Sequence, residues 1–376
     1  MLPKRLVFCG GGTRCLVFLQ GLVDLETKGV LRDVKEFWGT SAGAMIASLY
    51  AFTKSPKQIK EIMFHADYQR FRDIDISNLI GMQQTWGLDD GKSLVQEIER
   101  VFETIQPGSK GKCLKDMPEL NIVVSDITVR ETVVCNSKTF PNLRIVDALR
   151  ASMSLPVFFT PYKHPESGHM WIDGAIRANF PWHCLPNDEA RSEALGFTFE
   201  KPFLYKTPKT FMEYIFSMIH FDEPKKISSM KEKWPNIIWF QLPPYPSWFM
   251  RFQPEDFALV EKLGKEGVEQ WVKSNCLLPQ SLRNPKAFSS PSGGSQPPST
   301  MLSSLQLSSP LHIQQERHQK DCTNALLEIP ISGSSNHFHE TPSTFCLQTN
   351  PSWCASFCTS QNHTPCTQSL CRRWSV

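Results

Sequence analysis

Ser41 sits in Gly39-Thr40-Ser41-Ala42-Gly43, between the strand-like stretch VKEFW and a helical pattern. Between a strand and a helix, G-x-S-x-G spacing puts the serine on a sharp, strained turn. Gly39 and Gly43 let strand and helix approach without side-chain clashes. The Oγ then projects at a helix N-terminus, where free N–H groups favour developing negative charge. That is the setting of a nucleophile, although the same five residues also suit a glycine-rich turn with no chemistry. A second feature, Gly10-Gly11-Gly12-Thr13-Arg14, follows the apolar run RLVFC. Successive glycines let several backbone N–H groups converge on one anion, as an oxyanion hole requires. A dinucleotide loop would also read strand, glycines, helix, but G-x-G-x-x-G fails at Cys15 and no Lys-Ser/Thr pair marks a P-loop.

A nucleophilic serine needs a base. Asp173, in MWIDGAIRANFP, follows a strand-like run and is followed by Gly174, a position that projects a carboxylate outward. His183 and His220 lie downstream, in the chain order of a Ser, Asp, His triad, though neither has a distinctive setting.

These residues must be held by a scaffold, and the apolar pattern outlines one. RLVFCG (5–10) reads as a buried strand, and residues 14–28 carry a helical stripe closed by Gly29. VKEFWG (34–39) is a second strand and 42–52 its helix, and Ser55-Pro56 caps a third helix. Residues 91–105 form another helix, LNIVVSDI and ETVVCNS two strands, and RIVDALRASMS a helix that stops before Pro156. ALGFTFE, NIIWFQL and a helix over 255–273 complete the pattern. Strands alternating with helices predict an α/β sandwich around a mostly parallel sheet.

Forty basic against 37 acidic residues leave a net charge of +3, too little for the broad basic field of a nucleic-acid binder. No apolar run reaches the roughly 18 residues of a spanning helix. MLPKRLVFCGGG reads as the first strand of the fold and not as a signal peptide, Leu2 rules out N-myristoylation, and CRRWSV is no prenylation box. The expectation is an intracellular, cytoplasmic protein. Cys9, Cys15, Cys113, Cys135 and Cys184 lie in apolar or strand-like segments and read as reduced cysteines. From about residue 285 the chain turns rich in Ser, Pro and Gln, which predicts a disordered tail over 285–376. Cys354, Cys358, His363, Cys366 and Cys371 in that tail lack paired C-x-x-C knuckles, so no metal site is expected.

GGGTR after the first strand, GTSAG about thirty residues on, RASMSLPVFFTP, and DGA followed by NFP resemble the patatin-like phospholipase family in order and interval. The WGLDDGKSL turn and the VVSDITVRETVV strand pair are similar to it too. The resemblance covers about 4–185 and more loosely extends to about 275. It implies a three-layer α/β/α sandwich with a catalytic core over 1–185, completed by 186–284. It also implies a Ser41-Asp173 dyad in place of a triad, an oxyanion hole at Gly10, Gly11 and Gly12, and Arg14 as the basic residue beside it. No cofactor is implied. The substrate would be a phospholipid or other glycerolipid, met at a membrane or lipid-droplet surface by a peripherally associated enzyme. Acyl transfer to a lipid alcohol, or a catalytically impaired lipid-binding scaffold, are the alternatives. The chain departs from the family at Cys15, where glycine is usual, so a need for positive φ or close helix packing there would distort the loop. YPSWFMRFQP (245–254) could touch a bilayer or pack on the core, and Phe158 and Phe159 could line an acyl channel or fill the sheet edge.

Overall fold

The computed structural model describes residues 2–71, 78–200, 207, 214, 229–243 and 252–275. His220, most of the YPSWFMRFQP stretch, Cys276 and the 285–376 segment with its cysteines lie outside the described residues.

The amino-terminal half alternates as its pattern predicts. Strand β1 (Arg5–Phe8) leads through a single 3-10 turn (Gly12–Leu16) into α1 (Val17–Thr27). Strand β2 (Glu36–Thr40) leads into α2 (Ala42–Thr53), and Ser55 caps α3 (Pro56–Phe64) by accepting the Gln58 N–H. After α4 (Asn78–Thr85) come β3 (Gly87–Asp89) and α5 (Lys92–Ile105), then β4 (Leu120–Asp126), β5 (Glu131–Cys135) and α6 (Ile145–Ser152). Short pieces follow: β6 (Val157–Phe159), β7 (Tyr162–Lys163), β8 (Met170–Asp173), α7 (Ala175–Ala178) and α8 (Asp188–Ser192). Strands β9 (Ala194–Phe199) and β10 (Ile237–Phe240) and the long helix α9 (Phe257–Ser274) close the fold.

The main sheet runs β10-β9-β1-β2-β4-β8-β7, with β5 on the other edge of β4. From β10 to β4 every neighbour is parallel, whereas β5 and β8 pair antiparallel with β4, and β7 with β8. Strands β3 and β6 form a separate parallel pair. Because β9 is hydrogen-bonded to β1, the segment after residue 185 builds the same sheet as the first strand.

Both faces of the parallel region are covered, which is why its strands read as continuous apolar runs and not as alternation. Leu6, Phe8 and Phe37 face the thick helical layer, where Phe18 of α1 lies within 5.0–6.4 Å of the rings of Phe8, Phe197, Phe199 and Phe240. Val7, Trp38 and Ile237 face the opposite way, onto Trp182, Leu185 and Ala190. That second layer is thin, built from the Pro181–Cys184 turn and α8. The five cysteines within the described residues are free thiols, with Cys9, Cys15 and Cys135 buried and Cys113 and Cys184 partly so. Phe252 is buried against Phe64 and Phe257, so the described end of the YPSWFMRFQP stretch packs on the core.

Candidate active site

The site arises where strands of opposite direction share one edge of β4. Since β5 occupies the other edge, β2 and β8 must lie along the same one. Strand β2 runs parallel to β4 and ends with Thr40 opposite Val123, while β8 runs antiparallel and ends with Asp173 opposite Val124. Two C-terminal strand ends therefore meet head to head. Ser41 follows one end directly, and Asp173 is the other. The Ser41 Oγ donates to Asp173 Oδ2 at 2.7 Å.

Ser41 has φ 54° and ψ −128°, outside the wells an L-residue prefers, which costs on the order of 1–3 kcal/mol. The strain is sustained by neighbours. A Cβ on Gly43 would come within 2.4 Å of the Cys9 carbonyl, and one on Gly39 within 2.5 Å of Ala44, so α2 can press against β1 and β2 only because both are glycine. The Ser41 N–H, turned out of the strand ladder, donates to Ser152 Oγ at 2.8 Å, and the Ser152 hydroxyl donates to the Val123 carbonyl at 2.6 Å. Ser152 is fully buried at the end of α6. Its neighbour Ser154 accepts the Asp173 N–H on its carbonyl at 2.9 Å. Arg150 holds this corner by donating to Ser154 Oγ, to the Asp90 carbonyl at 3.0 Å and to the Thr160 carbonyl at 2.9 Å, with its guanidinium 5.4 Å from the Phe159 ring.

Asp173 is only 3% exposed. Burial raises its pKa from 3.8 to about 7, against the opposing effect of the Ala175 N–H on Oδ1 and the Ser41 hydroxyl on Oδ2. Gly174 lies against the Val123 carbonyl, which lets the chain turn into α7 beside β4.

The family model for patatin-like phospholipase matches residues 6–185, the stretch that carries every one of these groups. Residues 6–185 are a patatin-like phospholipase domain. A protein named "Uncharacterized protein YqhO" from Bacillus subtilis is 28% identical over 303 residues, covering 71% of this chain and 97% of that protein. A "Probable lipid hydrolase 463L" of Invertebrate iridescent virus 6 is 24% identical over 185 residues, 47% of this chain and 61% of that protein. The human "Patatin-like phospholipase domain-containing protein 6" is 30% identical over 196 residues, 50% of this chain and only 12% of that protein.

In the patatin-like domain the glycine loop lies beside the serine, since a Cβ on Gly10 would sit 3.1 Å from Ser41 Cβ. The Gly10 N–H, however, donates to the Asn179 carbonyl at 2.9 Å. Gly12 takes φ 57°, and the carbonyl of Gly11 accepts both the Arg14 N–H at 3.3 Å and Arg14 Nε at 3.2 Å. In a trans peptide the next N–H points opposite to the carbonyl, so Arg14 fixes the Gly12 N–H facing away from itself. Arg14 is buried, with its guanidinium 4.9 Å from the Phe199 ring.

Cys15 imposes no left-handed backbone. It sits inside the 3-10 turn, the positive φ belongs to Gly12, and its Sγ donates to the Cys9 carbonyl at 3.4 Å. Burial, reinforced by the Cys9 side chain, pushes the thiol well above its usual pKa and keeps it protonated.

The structure thus brings Ser41, Asp173 and the glycine loop together. Among the described residues the Asp173 carboxylate has Ser41 and the Ala175 N–H as its partners, and no histidine. His183 is exposed on the thin-layer side, its carbonyl accepting from Arg191. Sequence reasoning had no role for Ser152, Ser154 or Arg150, although RASMSLP contains all three.

Proposed function

We propose that the chain is a serine lipid acyl hydrolase that cleaves fatty-acyl ester bonds of phospholipids or other glycerolipids through a Ser41-Asp173 dyad. The family and its relative named as a lipid hydrolase support lipid hydrolase activity. The observation that carries the finer reading is the 2.7 Å hydrogen bond from a strained serine to a buried carboxylate.

In this reading Asp173 takes the Ser41 proton as the Oγ attacks the ester carbonyl. A carboxylate with a pKa of about 7 is a far better base than an exposed aspartate near 3.8. The oxyanion of the tetrahedral adduct is held by the amides of Gly11 and Gly12, because that of Gly10 is already committed to Asn179. Asp173 then gives its proton to the departing alcohol, and water, activated by the same carboxylate, releases the fatty acid from the acyl-serine. The residues do this without a cofactor.

The substrate resides in a bilayer or droplet surface, so the enzyme works there as a peripheral protein; among the described residues no helix is long and apolar enough to cross a membrane. Residues 186–284 belong with 1–185 in one catalytic unit, since β9 and β10 extend the sheet from β1. Residues 285–376 are low in complexity, rich in Ser, Pro and Gln. The test uses phospholipid vesicles. Wild type should release fatty acid and take a fluorophosphonate label at Ser41, while Ser41→Ala and Asp173→Asn lose release and stay folded. Full activity in either variant sinks the dyad.

A further inference from the structure

Outside the dyad, a partly open aromatic pocket of about 360 Å³ lies between the end of α3 and the start of α9. Its walls are Phe64, Tyr68, Phe252 and Phe257, and Ala66 is the small residue among them. The rings support one another: Phe64 lies 4.9 Å from Phe257, and Tyr68 lies 5.8 Å from Phe252. His65, Asp67, Gln69 and Gln253 add polar groups to the lining. Tyr68 could have spoiled the apolar wall, but its hydroxyl donates to the Met63 carbonyl at 2.6 Å. A hydrocarbon entering here leaves that hydroxyl paired.

Its position follows from chain direction. Helix α2 starts at Ser41, at the catalytic end of the sheet, and runs away from it. After the link of Lys54 and Ser55, α3 returns, so Phe64 and Tyr68 come back to the catalytic end. Tyr68 is also close enough to Cys15 for that thiol to add to the effect of burial on its hydroxyl, and Cys15 Sγ lies 3.3 Å from where a Gly11 Cβ would be. The end of α3 also packs toward the Gly12–Leu16 turn, so the pocket lies at the same end of the helical layer as the glycine loop.

We propose that this cavity receives the fatty-acyl chain of the ester whose carbonyl lies at Ser41. The inference rests on the hydrolase reading above. The lining is aromatic, and the volume falls near the lower end of the roughly 300–1,000 Å³ typical of small-ligand sites, which suits one chain and not a whole two-chain lipid. Each buried methylene favours binding by about 0.8 kcal/mol, or about fourfold, so chain length is the quantity the cavity controls.

The experiment compares 4-nitrophenyl butyrate with 4-nitrophenyl palmitate on the full chain and on Ala66→Trp, with Ala66→Leu as a smaller plug should tryptophan disturb folding. Both plugs should lower kcat/KM for palmitate, the larger by roughly tenfold or more, and leave butyrate within about twofold. Equal losses on both esters, or none on either, overturn the proposal. Displacement of an anthroyloxy-stearate probe by palmitate, measured on Ser41→Ala with and without the plug, reads binding without turnover. Palmitate binding that the plug abolishes supports the cavity even where the chain shows no Ser41-dependent hydrolysis, an outcome that would defeat only the hydrolase reading. Palmitate binding that the plug leaves intact overturns the cavity.

Discussion

The parallel and antiparallel ends of the sheet contribute unlike things to the site. The parallel end supplies the strained serine and the glycine loop, each on a strand-to-helix turn. The antiparallel end supplies the carboxylate, on a strand that enters from the opposite direction. A wholly parallel sheet would carry all its strand ends side by side, with a neighbouring loop as the only source of a base. Reversing β8 along the free part of β4 puts Asp173 directly ahead of Ser41. Under the proposed dyad, that placement lets β4 orient both residues, with the Ala175 N–H and the Ser154 carbonyl holding Asp173 in place of a third side chain.

Breaking the junction should have the largest effect. Asp173→Asn keeps the shape but removes the proposed base, and kcat should fall by about 10²–10⁴-fold. Its stability should move the other way. A carboxyl raised from 3.8 to about 7 in the fold favours the folded state below pH 3.8 and loses that contribution as pH rises through 7. The wild type therefore carries a penalty of up to about 4 kcal/mol at pH 8 that asparagine relieves. Urea unfolding at pH 5 and pH 8 checks this: the wild type should weaken across that interval more than Asp173→Asn does. The same ionisation predicts that wild-type kcat/KM rises with pH about a midpoint near 7. A flat profile from pH 5 to 9 would remove Asp173 as the base.

Loosening the junction should cost less. Ser152→Ala removes the acceptor of the Ser41 N–H and leaves that part-buried group without it, at about 1 kcal/mol of stability. Expected with it is a drop in kcat of roughly tenfold, with KM little changed, because the elbow loses its brace and the substrate's binding surface does not. Steady-state kinetics on a soluble ester would show the split, and Ser152→Thr, which restores the hydroxyl, should recover part of the loss.

The same contrast explains what could be read from the sequence. Parallel strands buried on both faces appear as apolar runs, and glycines at their ends appear as turns, so β1, β2, α1, α2 and the turn at Ser41 were legible at nearly their observed bounds. Strand β8 was visible as MWID, but its direction was not, because four residues carry no mark of which neighbour they will face. Asp173 could be paired with Ser41 from the sequence only through resemblance. Ser152 left no trace at all, since one buried hydroxyl changes neither periodicity nor charge. The 3-10 turn at Gly12–Leu16 was hidden for another reason: it continues the helical stripe of α1 into residues that only the glycine loop's geometry explains.

That loop offers the smallest and most selective comparison. Gly12 in the glycine loop and Gly43 after Ser41 differ in kind: a Cβ on Gly43 meets the Cys9 carbonyl at 2.4 Å, whereas one on Gly12 meets nothing within 4 Å. Gly12 is needed for its φ of 57° alone, so Gly12→Ala should cost only about 1–2 kcal/mol. Its N–H survives the change, still set by Arg14's grip on the Gly11 carbonyl, and activity should stay within a few-fold of wild type. Arg14→Gln keeps a polar side chain but loses the fixed guanidinium fork; it should reduce kcat more than Gly12→Ala does while unfolding at a similar denaturant concentration. If Gly12→Ala proved the more damaging to kcat, the loop's backbone shape, and not the direction of one amide, would be what the parallel end contributes.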